Sequence, residues 1–334
     1  MLTTITRRQA LGGALAALFA PGLAGTAAAQ VDTPVAAEWT FTDFLGRVTT
    51  LPAPPQRIAA EIGTAAAVYD MGIQVQAVWG GPANDPTGSP EAWGRLPVES
   101  VVNISTPEGN PDPEKALQAG TDLFIFGAVE LEDVTRYSED DTPYANLPPI
   151  APLLVWPFLD RVDRTMAEIW KVAIALGAEP DSPENVAAQA ALDDAVAALQ
   201  AALDATPGLT AMFGYPVNDE IYIANPNGWD DVNYFRSLGL NVLDTDPVTG
   251  DKWWETLSWE QASKYEPDTI FLATVEGAMP LAQVKTHPTF SRQPAVQADQ
   301  VGVWSWYFAR SPQGVTQLVQ NVLDVVQDAE KVTP

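Results

Sequence analysis

Asp112-Pro-Glu-Lys-Ala-Leu-Gln-Ala-Gly-Thr-Asp-Leu-Phe-Ile-Phe126 and Ser258-Trp-Glu-Gln-Ala-Ser-Lys-Tyr-Glu-Pro-Asp-Thr-Ile-Phe-Leu272 are two copies of one pattern. Glu114 matches Glu260, Ala116 matches Ala262 and Asp122 matches Asp268. Each copy reads as a short helix running into a buried strand. A capping residue (Asp112 or Ser258) is followed by an acid in the positive first turn, then by a second acid ahead of an apolar run. The spacing predicts one supersecondary unit used twice.

Between the copies there is no flexible linker. An amphipathic helix is predicted over 160–176, with Asp160 as N-cap, Val162, Met166, Ile169, Ala173 and Leu176 on one stripe, and Gly177 at the stop. The predicted fold class is therefore α/β: two Rossmann-like lobes with mainly parallel sheets, joined by one long backbone α-helix. Residues 38–158 make the N-terminal lobe, 159–178 the connecting helix and 179–330 the C-terminal lobe. Length agrees, because roughly 300 residues exceed what one undivided core holds.

Working outward, residues 38–51 read as a hairpin, 58–60 as a strand, and 63–71 as a helix closed by Gly72. A strand over 75–79 leads into a Gly/Pro-rich loop at 80–97, and a strand over 150–156 ends the first lobe. In the second half, Ser182-Pro183-Glu184 opens a helix with Leu192, Val196, Leu199 and Leu203 inward. Strands follow near 209–214, 240–244, 268–273 and 300–306. Ser311-Pro312 caps a last helix that buries Val315, Leu318, Val319, Val322 and Val326.

Residues 1–29 read as a targeting segment. Arg7 and Arg8 precede an apolar stretch from Ala10 to Leu23, and Ala27-Ala28-Ala29 offers the small residues of a cleavage site, the pattern of a twin-arginine signal peptide. The expected location is the periplasm. The chain has no cysteine, which excludes disulfides, thiolate metal sites, cysteine nucleophiles and a lipidated cysteine anchor. Its formal net charge is −26, and more negative still without Arg7 and Arg8, so its surface repels nucleic acid and anionic lipid.

With the twin units and the connecting helix in place, the chain resembles the substrate-binding proteins of ABC importers, in the class with a helical backbone between its lobes. That class includes receptors for ferric siderophores, cobalamin and haem. The resemblance spans nearly all of the chain after the signal. It includes Phe41-Thr-Asp-Phe-Leu-Gly-Arg47, Leu51-Pro-Ala-Pro-Pro-Gln-Arg-Ile58, both duplicated units, Leu238-Gly-Leu-Asn-Val242 and Pro294-Ala-Val-Gln-Ala-Asp-Gln-Val-Gly-Val-Trp304. It implies as partners a ferric siderophore or similar metal chelate and an inner-membrane ABC permease, a monomer, no catalysis, and no cofactor beyond iron carried inside a bound chelate.

Ligands of open parallel sheets bind beyond the carboxyl ends of the strands. The chain has 11 tryptophans, and most fall in those segments, so a broad aromatic cleft is expected. Trp79, Trp229, Trp254 and Trp306 are the ligand-facing candidates. Receptors similar to this for hydroxamate siderophores use an arginine and tyrosines to donate hydrogen bonds to the oxygens around iron. That resemblance makes Arg136, Tyr215, Tyr307 and Arg310 candidates, Arg310 first among them because it follows a strand end. It also implies that Glu114 and Glu260, one on each lobe, dock against permease arginines. The bland alternative is that each only complements its own helix dipole, and presence in both copies favours docking.

One histidine, His287, cannot build a His-rich metal site. No Gly-x-Ser-x-Gly elbow, P-loop or Gly-x-Gly-x-x-Gly fingerprint occurs. The scarcity of basic residues favours a neutral or cationic hydroxamate complex over a triply anionic catecholate or citrate one. Three alternatives stay open: a haem or cobalamin receptor of the same fold, a binding protein that signals to a sensor, and an exported hydrolase with a carboxylate pair.

Overall fold

The computed structural model describes residues 38–128, 144–246 and 248–333. A hairpin opens the first lobe: β1 (Trp39–Thr42) pairs antiparallel with β2 (Val48–Leu51) around the turn at Gly46. Then follow β3 (Ile58–Glu61), α1 (Ile62–Asp70), β4 (Ala77–Trp79), the single turns α2 (Gly81–Asn84) and α3 (Pro90–Trp93), β5 (Val102–Asn103), α4 (Pro113–Ala119), β6 (Leu123–Ala128) and β7 (Leu153–Pro157). Five of these strands form a wholly parallel sheet in the order β5-β4-β3-β6-β7.

Two helices carry the chain across to the second lobe. α5 (Val162–Ala175) packs on α1 and β7. α6 (Pro183–Ala205) begins where the Ser182 hydroxyl accepts from the N–H of Asn185. Next come β8 (Thr210–Pro216), β9 (Glu220–Ala224), α7 (Asp230–Ser237), β10 (Asn241–Val242), β11 (Trp254–Ser258), β12 (Thr269–Ala273), α8 (Leu281–Thr286), α9 (Pro294–Gln297), β13 (Val301–Trp304) and α10 (Pro312–Val326). The second sheet runs β11-β9-β8-β12-β13, with β10 also beside β8. β8, β10, β12 and β13 are parallel, whereas β9 is antiparallel to both β8 and β11, a pairing with no counterpart among the described residues of the first lobe.

The connecting segment has the expected helix, stopped at Gly177, but not the expected cap. Asp160 does not cap it; α5 starts at Val162, and Asp160 instead pairs with Arg164 at 2.9 Å. Gly177, in the left-handed region at φ +103°, ends the element, and Ser182-Pro183 starts the longer α6 a few residues later. α5 touches α7 of the second lobe as well as the first, and α6 packs along α10.

One apolar cluster is common to the two lobes, and each lobe keeps a further cluster of its own. A continuous apolar cluster joins Ile58, Val68 and Trp156 of the first lobe to Ile169 of α5 and to Phe213, Trp304 and Val319 of the second. Polar ties reinforce it: the Asn233 amide donates to the Asp160 carbonyl (2.8 Å), Asn185 to the Met71 carbonyl (3.3 Å), and the Ser311 hydroxyl to Asp70 (2.5 Å).

In each lobe, an aspartate just before β6 or β12 holds the entry to the neighbouring central strand. Asp122 accepts from the N–H groups of Gln56 (2.9 Å) and Arg57 (2.8 Å), just ahead of β3. Asp268 accepts from the Thr210 N–H and hydroxyl at the start of β8, and from Val332 and Thr333 at the C-terminus.

Candidate functional site

A half-open cleft of about 770 Å³ lies between the lobes, beyond the carboxyl ends of the strands. The first lobe contributes Glu61 at the end of β3, Gly127 in β6, Trp156 in β7 and Phe158 just after it. Gly127 is required by the wall it supports. A Cβ there would lie 2.5 Å from the Trp156 ring and 2.7 Å from that of Phe158. These two rings stack at 4.8 Å and form an apolar face.

The second lobe supplies Asn227 to Asp230 ahead of α7, Lys252 and Trp253 ahead of β11, and Trp306, Tyr307, Phe308 and Arg310 after β13. Trp229 is the hub of a tryptophan cluster, with ring centroids 5.3 Å from Trp253, 4.7 Å from Trp254 and 5.5 Å from Trp306. Its indole N–H donates to the Trp253 carbonyl at 2.9 Å, so the loop bearing Lys252 and Trp253 is anchored to the cleft wall.

Arg310 lies at the junction of the lobes with its side chain only 11% exposed. Its guanidinium sits over the rings of Phe158 (4.3 Å) and Phe308 (4.4 Å) and donates twice to Asp230, at 2.9 and 2.8 Å. That forked pairing matches guanidinium to carboxylate geometry, so the positive charge of Arg310 is already met inside the protein. Behind it, Asp231 is fully buried and accepts from the Trp304 indole at 2.6 Å. Burial and the adjacent Asp230 push the Asp231 carboxyl up to about 7, against the pull of Trp304 and Arg310. Glu61 caps α1 by accepting from the Thr64 N–H at 3.1 Å. Its own carboxyl is raised by burial, which outweighs the hydrogen bonds from Gly63 and Thr64 and the charge of Arg310.

The lining therefore holds the acids Glu61, Asp160 and Asp230 against the bases Arg310 and Lys252 among the described residues. Aromatic rings cover most of the remaining wall. The cleft can cradle a bulky, partly apolar ligand and has little excess positive charge to offer a polyanion.

Trp229, Trp306, Tyr307 and Arg310 all line the cleft, as the sequence suggests. Trp254 stands one layer behind, packed on Trp229 and Trp306 (5.6 Å). Tyr215 lies farther along the same cluster, edge-on to Trp306 at 5.2 Å, its hydroxyl donating to the Glu276 carbonyl. Trp79 is a correction: it is 1% exposed in the core of the first lobe, between Phe124 and Phe126, and does not reach the cleft. Arg136 falls outside the described residues. Glu114, in the first turn of α4, and Glu260, in a 3-10 turn over Trp259–Lys264, are both exposed. Phe158 and the Asp230-Asp231 pair were not picked out from sequence. The one signal available was an acid pair directly after a candidate tryptophan at a helix start.

Two α/β lobes on a shared core, with an aromatic cleft at the strand ends, define a two-lobed ligand receptor. A family model of periplasmic binding proteins matches residues 134–305, just over half of the chain, and the chain belongs to that family. Its members are periplasmic or extracellular substrate-binding proteins, not enzymes. Among solved structures, the chain is similar to DesE, a ferric-siderophore receptor protein from Streptomyces coelicolor. The two are 28% identical, with a TM-score of 0.79, over 88% of this chain and 100% of that one. The siderophore periplasmic binding protein from the fuscachelin gene cluster of Thermobifida fusca shares the fold, at 22% identity and a TM-score of 0.62 over 83% of this chain and 98% of that one. Among curated proteins, the Fe(3+)-citrate-binding protein YfmC of Bacillus subtilis is 23% identical over 267 residues, 78% of this chain and 76% of that protein.

Proposed function

We propose that this protein captures a ferric siderophore in the interlobe cleft and delivers it to an inner-membrane ABC permease, and that the chelate is neutral or cationic, of hydroxamate type. The observation that carries the reading is the electrostatic state of the cleft: its buried arginine is matched by Asp230, and among the described residues the aromatic walls hold no surplus of bases over acids. A triply anionic chelate would bury charge there without enough counter-charge. A hydroxamate complex would rest its methylene arms on Trp229, Trp253 and Trp306. Iron enters only as cargo, and no resident cofactor takes part.

In this reading Glu114 and Glu260 meet permease arginines, the chain works as a monomer, export follows the twin-arginine route, and the absence of cysteine leaves no lipid anchor. The lobes correspond to residues 38–158 and 179–330, with 159–178 between them. The shared core and the polar ties across it favour small lobe movement on binding.

The resemblance to a ferric-citrate-binding protein favours a second reading, and one experiment separates the two. Tryptophan quenching is titrated with ferrioxamine, ferric citrate, a ferric catecholate and hemin. Saturable quenching by ferrioxamine at low micromolar concentration or below, with at least tenfold weaker response to ferric citrate, is expected. Tighter binding of ferric citrate or the catecholate would overturn the hydroxamate assignment, and selective binding of hemin would overturn the siderophore assignment.

A further inference from the structure

The arginine of the cleft is held by groups from distant points of the chain. Arg310 follows β13, Phe158 follows β7 of the first lobe, and Asp230 opens α7. The guanidinium lies over the Phe158 and Phe308 rings, at 4.3 and 4.4 Å, while its Nε and Nη2 donate to the two Asp230 oxygens at 2.9 and 2.8 Å. Rings and fork together fix both the position and the direction of the group.

The third nitrogen is left over. Nη1 meets no acceptor among the described residues, and it is not one of the buried polar atoms that lack a partner. Because Arg310 lines the cleft, that edge is open to a guest. A ligand oxygen can therefore accept from Arg310 without breaking the fork.

The charge of Arg310 is a separate matter from its donors. Asp230 has a side chain only 4% exposed, so the two opposite charges face each other with little water to screen them. Asp231 and Glu61 also act on Arg310 through their charge, but they accept from Trp304 and Thr64 and neither bonds the guanidinium. A carboxylate in the first turn of α7 also suits the helix dipole, yet that role asks for neither burial nor a two-point fork. An unmatched arginine in an aromatic cleft would draw in any polyanion. The same arginine with a full counter-charge still donates but has no net pull.

We propose that Asp230 is a specificity-determining residue: it holds Arg310 as an oriented hydrogen-bond donor and cancels its charge, so that chelates with a neutral iron core are accepted and polyanionic ones refused. Selectivity is then set by a group working against the wrong ligand. The inference rests on the siderophore reading of the cleft.

The test is the ratio of affinities for ferrioxamine, whose trihydroxamate iron core is neutral, and for a triply anionic ferric tris-catecholate. Both are measured by tryptophan quenching of the full chain at one ionic strength. Asp230→Asn should move the ratio at least tenfold toward the catecholate, and Asp230→Glu, which keeps the counter-charge, by less than threefold. Asp231 is the neighbouring acid able to take over that charge, so Asp230→Asn/Asp231→Asn should shift the ratio at least as far as Asp230→Asn. Arg310→Gln removes the cation and should move the ratio at least threefold the other way. A structural role would weaken both chelates together, and either substitution alone carries the sign if the other variant fails to fold. An unchanged ratio in Asp230→Asn and in the double variant, or shifts of the same sign in Asp230→Asn and Arg310→Gln, would overturn the proposal. The wild-type preference tests the hydroxamate reading, and only the shift between wild type and variant tests Asp230, so the two fail separately.

Discussion

The two copies of the repeated segment fold differently, and the difference separates what the repeat encodes from what its surroundings decide. In the first copy, Asp112 accepts from the N–H groups of Glu114 (2.9 Å) and Lys115 (3.1 Å), Pro113 occupies the first turn, and Gly120 closes α4 in the left-handed region at φ +68°. In the second, Ser258 is the last residue of β11 and makes no cap, and the chain forms only a 3-10 turn. No glycine is available to end a helix, and Pro267 stands just before Asp268. Trp259 is drawn inward, stacked at 4.2 Å on His287 and donating to the carbonyls of Val217 and Asn218. What survives in both copies is the aspartate, the strand after it and an exposed glutamate before it.

The largest test of that comparison concerns the aspartates. Asp268 is fully buried with five donors, whereas Asp122 accepts two backbone N–H groups at the surface. Asp268→Asn should cost about 2–4 kcal/mol in urea unfolding and Asp122→Asn about 0.5–1.5 kcal/mol; equal losses would show that the two do not differ in weight.

A second contrast lies within the second lobe, between two buried aspartates of opposite sign. Asp268 is pulled down to about 2 because the donors from Thr210, Thr333 and Val332 outweigh burial. Its folded value lies below the ordinary 3.8, so its stabilisation is complete above that value and fades as pH falls from about 4 toward 2. Asp231 is pushed up to about 7, chiefly by burial, so the native state holds a proton that the unfolded chain has lost, and stability declines as pH rises from about 4 through 7. Urea midpoints measured between pH 4 and 8 should therefore fall with pH, and Asp231→Asn should reduce that slope, the remainder belonging to the other acids that burial raises, Glu61 and Asp70. An unaltered slope in the variant would place the titration on another group.

In the cleft, Gly127→Ala should crowd the Trp156 and Phe158 rings and weaken chelate binding about tenfold, with a stability loss of about 1 kcal/mol. Unchanged affinity would remove that wall from the ligand's surroundings. The smallest effects belong to the exposed glutamates. Glu114→Ala and Glu260→Ala should change stability by less than about 1 kcal/mol and leave ligand affinity unchanged. Transport in vesicles carrying the cognate permease should fall, more so in the double variant. Normal transport by the double variant would return both residues to the helix-dipole role.

Much of this architecture was legible because apolar periodicity and caps report local structure directly. Ser311 accepts from Gly314 and buries Val315, Leu318, Val319, Val322 and Val326, as the pattern of α10 implies. β9 and β11 were not legible: Glu220–Ala224 and Trp254–Ser258 are short, and their antiparallel pairing is a long-range choice with no local signature. The site was half legible for a similar reason. A tryptophan near a strand end is easy to find, but whether it faces the cleft, as Trp229 does, or core, as Trp79 does, depends on packing across elements. Phe158 and Trp253 gained their places from a glycine opposite and from a carbonyl that accepts the Trp229 indole.

The unbroken apolar cluster that runs from β3 through α5 to α10 also governs how the molecule assembles. That cluster takes residues from both halves, although each also has a smaller cluster of its own, so melting should proceed as one calorimetric transition and a half-length fragment should be less stable than the whole. The ordering entropy of the two lobes is thus spent at folding and not at capture, which leaves the recognition surface preorganised before any guest arrives.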